Sequence, residues 1–180
     1  MRFLGGSTPV IGTNPISIVI PTDKNPIIAD MATSKRAWGE VREAKRGVKE
    51  LPAESFYDKN GNFATDPNEV CAAASMGGYK GFAIGLLIEI MSGSFVDMTM
   101  SDNSKKTRGA TILVMDPNFT VGAGKFMTAN ANLVDKIHGS GENASIPGDR
   151  STKTREQNLQ NGYLEIDDEL WHEIVDIGKG

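Results

Sequence analysis

The spacing of apolar positions changes several times along the chain, and each change predicts an element. Residues 16–20, Ile-Ser-Ile-Val-Ile, form an apolar β-branched run closed by Pro21, which predicts a buried strand. Residues 22–25 make a turn, and residues 26–31 give a second short strand. Residues 34–49 are rich in helix formers and predict a helix. Residues 51–65 read as loop, with Asn60-Gly61 as a tight turn. Asp66-Pro67-Asn68-Glu69 then announces a helix running to Gly77-Gly78: Asp66 caps it, Pro67 takes its first position, and Glu69 closes a capping box. Another helix follows over 80–91, where Gly81 and Gly85 leave one face open to close packing. Residues 92–107 are polar loop. Residues 110–115, Ala-Thr-Ile-Leu-Val-Met, predict a buried strand stopped by Asp116-Pro117-Asn118. From Lys125 onward Phe126, Leu133, Val134 and Ile137 fall at helical spacing, ending at Gly139. Residues 139–160 read as a long polar segment. The tail closes with a helix from about Asp167, whose apolar face is Leu170, Trp171, Ile174 and Val175. Strands alternate with helices, which argues for an α/β protein with a mixed sheet covered by helices.

Composition narrows the function. The 180 residues carry a net charge of −4, so clustered positive charge for general nucleic-acid binding is not expected. The most apolar stretch, residues 81–91, is too short to span a bilayer and contains Glu89, so no membrane partner is expected. The start shows no secretory apolar region before Thr8-Pro9. Cys71, the single cysteine, stands among alanines and reads as a small buried apolar residue. A cytoplasmic protein is the expectation.

Familiar motifs fail. Gly77-Gly78-Tyr79-Lys80-Gly81 lacks the spacing and hydroxyl of a Walker loop. Gly139-Ser140-Gly141-Glu142-Asn143-Ala144 matches a dinucleotide fingerprint as a string but follows a helix, so it is rejected as a Rossmann loop. His138 and His172 lie apart without clustered cysteines, and no metal is expected. His138 reads as a partner of a helix end and His172 as an exposed helix residue.

Three loops aim backbone amides or helix starts outward. In Gly12-Thr13-Asn14-Pro15, Pro15 pushes Asn14 toward extended geometry, and simple strand entry explains the loop. Asp30-Met31-Ala32-Thr33-Ser34 joins a strand end to a helix start, a corner suited to a phosphate, although plain capping explains both hydroxyls equally. Asp30 ends an apolar strand and needs a partner if buried. Gly78-Tyr79-Lys80-Gly81 opens a helix with an ammonium and a flat ring that suit a dinucleotide, and a helix–helix turn is the alternative. The basic stripe of Lys35, Arg36, Arg42, Lys45, Arg46 and Lys49 is accounted for by a solvated helix face with Glu40 and Glu43 interleaved.

Taken in order with Leu51-Pro52, Asp58-Lys59-Asn60-Gly61, Thr65-Asp66-Pro67 and Pro147-Gly148-Asp149, these loops resemble one family over nearly the whole chain. It is the malate/L-lactate dehydrogenase family, with its sulfolactate, ureidoglycolate, diketogulonate and ketimine relatives. The resemblance implies a three-layer, non-Rossmann nicotinamide-binding fold of the sulfolactate dehydrogenase kind, with residues 1–150 as the NAD(P)-binding domain and 151–180 as a C-terminal segment. It implies hydride transfer between NAD or NADP and a small 2-hydroxy or 2-keto acid. By the same resemblance Asp30, Met31, Ala32, Thr33, Ser34 and Lys35 form the main cofactor segment. Tyr79 and Lys80 add a second, and Gly148, Asp149 and Arg150 a third. Thr13 and Asn14 would lie near substrate and nicotinamide, and Asp30 would orient the catalytic acid. The family's acid is a histidine in a Ser-His-Gly motif, which these 180 residues do not contain, so its role is not transferred to His138 or His172. Expected partners are a second copy, as a homodimer, or the complementary half of the fold.

Overall fold

The computed structural model describes residues 1–2, 8–98 and 109–179. The chain divides into two compact units, one of Met1–Ile18 with Ala29–Ala123 and one of Val19–Ile28 with Gly124–Gly180. Residue 150, the boundary expected between domain and tail, lies inside a helix of the second unit.

Strands β1 (Ile16–Ile20) and β2 (Ile27–Met31) form where the β-branched runs predict them and make a two-stranded sheet. Helix α1 covers only Trp38–Lys45, starting four residues past Ser34. Residues 51–65 hold a strand, β3 (Phe56–Tyr57), paired antiparallel with β4 (Ala72–Ala73) in the register Phe56 to Ala73 and Tyr57 to Ala72. That pairing overturns the helix expected over 66–77. The Asp66 carboxylate does accept from the Asn68 amide, but it caps a single 3-10 turn, Pro67–Glu69, and Val70 is already extended. A short alanine-rich segment packs better here against a strand than its helix propensity would suggest. The turn at Asn60-Gly61 forms as expected, with Asp58 accepting from the Asn60 and Asn62 amides and Gly61 at a φ of 86°.

The core of the first unit is small: Val41, Phe56, Ala64 and Ala73, flanked by Leu51 and Val70, with Trp38 edge-on to Phe56 at 6.2 Å. Cys71 immediately precedes β4 and is exposed, against expectation. Helix α2 (Tyr79–Ser92) buries Gly81 and Gly85, where the chain approaches closely. The stretch Tyr79–Val96 is long and apolar enough by composition to cross a bilayer, with a mean hydropathy of 1.3. Its α-helical part, however, is about 21 Å long against a hydrocarbon core of about 30 Å, and Gly93 breaks it. Within it only Gly81 and Gly85 of α2 are buried, and Ile84, Leu87, Ile90 and Met91 are exposed.

The largest departure lies at 110–115. No strand forms there, and Ile112 to Met115 are 79–85% exposed. In β1, Ile18 and Val19 are also exposed. Both runs were expected to be buried, and the pattern is that of sheet interior. Burying such strands takes neighbouring strands and a covering layer, which the described residues do not supply.

In the second unit, helix α3 (Ala123–His138) follows its predicted periodicity. The polar segment 139–160 conceals helix α4 (Asp149–Asn161), which lacks an apolar stripe and a side-chain cap. Helix α5 (Asp168–Ile177) is capped by the Asp167 carboxylate, which accepts from Leu170 N. Lys24 pairs with Asp135 at 3.1 Å, and the Asn130 amide donates to Pro21 O.

Candidate active site

The first unit draws three of the singled-out segments together. The loop before β1 does not keep Asn14 extended: its φ is 41°, in the left-handed region. Asparagine tolerates that conformation better than most residues, and its side chain holds it there. Asn14 is 9% exposed, and its Nδ2 donates to Gly85 O at 2.8 Å and to Glu89 Oε2 at 2.9 Å.

Thr33 is fully buried. Its amide donates to Thr13 O at 2.9 Å, and its hydroxyl lies 3.0 Å from both Thr13 O and Asn14 O. Thr33 therefore caps no helix. The first turn of α1 begins at Trp38, and its N-cap, Ala37, has no side-chain bond. The expectation of a helix start at Thr33-Ser34 is corrected accordingly: the hydroxyl that could have met a phosphate ties two loops instead. Ser34 Oγ donates to Arg36 O, and the Lys35 ammonium to Glu54 O at 2.9 Å. Asp30 and Met31 end β2 exposed, so Asp30 needs no buried partner, and Ala32 is half-buried between them and Thr33.

The same corner is sewn to the third segment. Met76 N donates to Thr33 O at 3.0 Å and Lys35 N to Ala74 O at 2.7 Å, forming a bridge between Ser34 and Ser75. The chain then turns through Gly77 and Gly78, both at positive φ, into α2. Tyr79 and Lys80 are exposed at its first turn, and Lys80 has no ion-pair partner among the described residues. Thr13, Asn14, Trp38, Arg42, Cys71 and Glu89 contribute to the wall of a cavity of about 1070 Å3.

The Pro147-Gly148-Asp149-Arg150 segment belongs to the second unit. Ile28 N donates to Pro147 O at 3.4 Å, and Gly148, at a φ of 102°, lies against the Ile28 backbone. Asp149 Oδ2 accepts from Ile146 N at 2.8 Å and meets His138 Nε2 at 2.8 Å. The Ile146 amide, followed by the His138 ring, holds the Asp149 carboxyl below its ordinary range. His138 thus meets a carboxylate at the end of α3. His172 is exposed. Arg150 is exposed on the first turn of α4. Among the described residues, no three His, Cys, Asp or Glu side chains gather as a metal site.

The Thr13-Asn14 loop, tied by hydrogen bonds to the Thr33 corner, lines a large cavity of a size that suits a small molecule. The profile of the malate/L-lactate dehydrogenase family matches residues 1–175, and the chain belongs to that family. It is 33% identical to a malate/(S)-sulfolactate dehydrogenase of Methanothermus fervidus, over 97% of this chain and 54% of that protein. Among solved structures it is similar to the sulfolactate dehydrogenase of Methanocaldococcus jannaschii, at a TM-score of 0.78 and 29% identity, over 98% of this chain and 55% of that one. It is also similar to the delta1-piperideine-2-carboxylate reductase of Pseudomonas syringae, at a TM-score of 0.79 and 29% identity, over 95% and 55%. The α/β, sulfolactate dehydrogenase-like fold class is therefore that of this chain, which spans about half the length of the relatives it matches.

Sequence reading missed Glu89, Trp38 and Arg42 as cavity residues. Glu89 does carry a signal in the sequence, as a lone carboxylate inside an apolar helix. Trp38 and Arg42 face the cavity because α1 starts late, which the sequence does not announce.

Proposed function

We propose that this chain is the nicotinamide-binding part of an NAD(P)-dependent oxidoreductase acting on a small 2-hydroxy or 2-keto acid. The observation that carries the reading is the joining of Thr13-Asn14, Thr33-Ser34-Lys35 and Ser75 to Lys80 by direct hydrogen bonds, with Thr13 and Asn14 also lining a large cavity. The names of the relatives, malate, sulfolactate and cyclic imino-carboxylate enzymes, supply the substrate class. The bound nicotinamide would supply or accept hydride at the 2-position of the acid.

The residues present suit such a group. Asn14 Oδ1 has no donor among the described residues, so the wall keeps an open acceptor. Lys80, at the amino end of a 14-residue helix, offers a charge for a phosphate, supported by the helix dipole. Tyr79 offers a flat face beside it. Asp149 would act by shaping its loop, since its carboxylate is already engaged. Asp30 would orient the catalytic acid, a histidine that would come from a Ser-His-Gly segment outside these 180 residues. Lys35 is held by Glu54, which weighs against its choosing NADP over NAD.

Ile112 to Met115 and the exposed residues of β1 favour assembly, as a homodimer or with the other half of the fold, since apolar surface of this extent marks an interface. A cytoplasmic location is part of the proposal. Titration with NADH and NADPH by fluorescence tests the reading, with Asp30→Ala and Lys80→Ala beside the parent. Saturable binding, weakened about tenfold or more by loss of the Lys80 charge, is expected. Well-folded protein that binds neither nucleotide would remove the proposal.

A further inference from the structure

We infer that Glu89 is a positioning residue that fixes the Asn14 side chain as a hydrogen-bond acceptor toward the cavity, so that the ligand there must present an N–H or O–H donor. The inference rests on the proposed nicotinamide reading and adds a specificity rule to it.

An asparagine amide has one oxygen and one NH2, and which end faces a ligand decides what the ligand must offer. Here the choice is forced. Both near neighbours of Nδ2, Gly85 O at 2.8 Å and Glu89 Oε2 at 2.9 Å, are acceptors only. Turning the amide over would set Oδ1 against a carbonyl and a carboxylate, losing two hydrogen bonds and adding repulsion. Both Nδ2 protons are thus spent within the fold, and Oδ1 is the group left over. Asn14 forms part of the cavity wall, and among the described residues nothing donates to Oδ1.

Glu89 is suited to this task, although its charge also acts on the Met1 ammonium. It sits on α2 between Ile88 and Ile90, and Asn14 is its only hydrogen-bond partner among the described residues. A half-buried carboxylate needs compensation, and Glu89 has it from the Asn14 amide and from the charge of the Met1 ammonium. The backbone points the same way. Asn14 precedes a proline yet holds a φ of 41°, and strained loop residues of this kind persist where the surroundings over-determine them. Thr33 fixes the Asn14 carbonyl from one side while Glu89 and Gly85 fix its amide from the other.

The test uses the 180-residue chain with Glu89→Gln and Glu89→Ala. Gln retains an acceptor oxygen at the same reach, whereas Ala removes it. The first readout is the Asn14 side-chain amide in a 15N-labelled sample: its protons should exchange with water at least tenfold faster in Glu89→Ala and within threefold of the parent in Glu89→Gln. The second is affinity for NADH and for its 3-acetylpyridine analogue, which lacks the carboxamide N–H. Glu89→Ala should weaken NADH about tenfold, with Glu89→Gln restoring most of it. A loss that the analogue does not share assigns the donor to the carboxamide, and an equal loss for both assigns it to a ribose hydroxyl. Unchanged amide exchange in a folded Glu89→Ala protein overturns the inference, as does NADH binding equal to the parent's. If the parent chain binds no nicotinamide nucleotide, the proposed function fails, and the exchange measurement alone judges the Glu89–Asn14 clamp.

Discussion

Gly85→Ala is the substitution through which the packing at the site can be weighed most directly. A Cβ built at Gly85 would lie 2.7 Å from Met1 Cε, 2.9 Å from Thr33 Oγ1 and 3.6 Å from Ile11 Cδ1. The methionine methyl ends a flexible side chain and can move. The Thr33 hydroxyl cannot retreat without leaving Thr13 O and Asn14 O. Overpacking of this kind costs about 1–3 kcal/mol, and disturbing the buried hydroxyl about 1 kcal/mol more. Against this, alanine in a helix interior gains about 1 kcal/mol over glycine. The balance is a loss of about 1–3 kcal/mol. Urea unfolding followed by circular dichroism should show it as a midpoint lowered by roughly 0.5–1.5 M, taking a slope near 2 kcal/mol/M. Gly39→Ala is the control: it lies on α1 with nothing within 4 Å of the added Cβ, so it should be neutral or stabilising by up to about 1 kcal/mol. A Gly85→Ala protein as stable as the parent, with Gly39→Ala behaving as stated, would refute the close approach of α2 to Thr33.

Other substitutions probe separate parts of the chain. Thr33→Val keeps the shape and removes the hydroxyl that holds Asn14 O, so it should lower stability by about 1–2 kcal/mol in the same unfolding assay. Asp149→Asn should alter the acid limb of the stability profile. The folded carboxyl lies below its ordinary range, so its contribution is present above the unfolded pKa and is lost as pH falls through the folded value. Because this group is partly exposed and screened by solvent, the difference should stay under about 1 kcal/mol, read from urea midpoints at neutral pH and near pH 3. Ile112→Lys with Val114→Lys should leave the unfolding midpoint nearly unchanged, within about 0.5 kcal/mol, while reducing self-association by light scattering. A large loss of stability there would mean that these side chains are buried within the chain itself.

Local chemistry made some elements legible. The β-branched run at 16–20 and the helical spacing after Lys125 placed β1 and α3, because each pattern is dictated by which face meets a core. Asp66 was legible as a cap and Asp167 as the start of a helix, since a short carboxylate beside free amides needs no distant partner. The alanines at 72 and 73 misled, because their strand exists only through pairing with Phe56 and Tyr57. Helix α4 stayed hidden because its composition offers no apolar stripe to read.

The sequence by itself determined the family, the order of most elements and the segments that gather at the site, because local motifs survive wherever backbone turns and caps are needed. Only the tertiary structure decided what those residues do for one another. It turned Thr33 from a presumed helix cap into a tie between loops, made Asn14 left-handed, and brought Glu89, 75 positions along, onto its amide. Hydrogen bonds between distant residues depend on how helices and loops pack, and no periodicity records that. The apolar pattern at 110–115 marks the limit in the other direction: it states that a strand is to be buried, whereas what buries it must come from beyond the contacts these residues make.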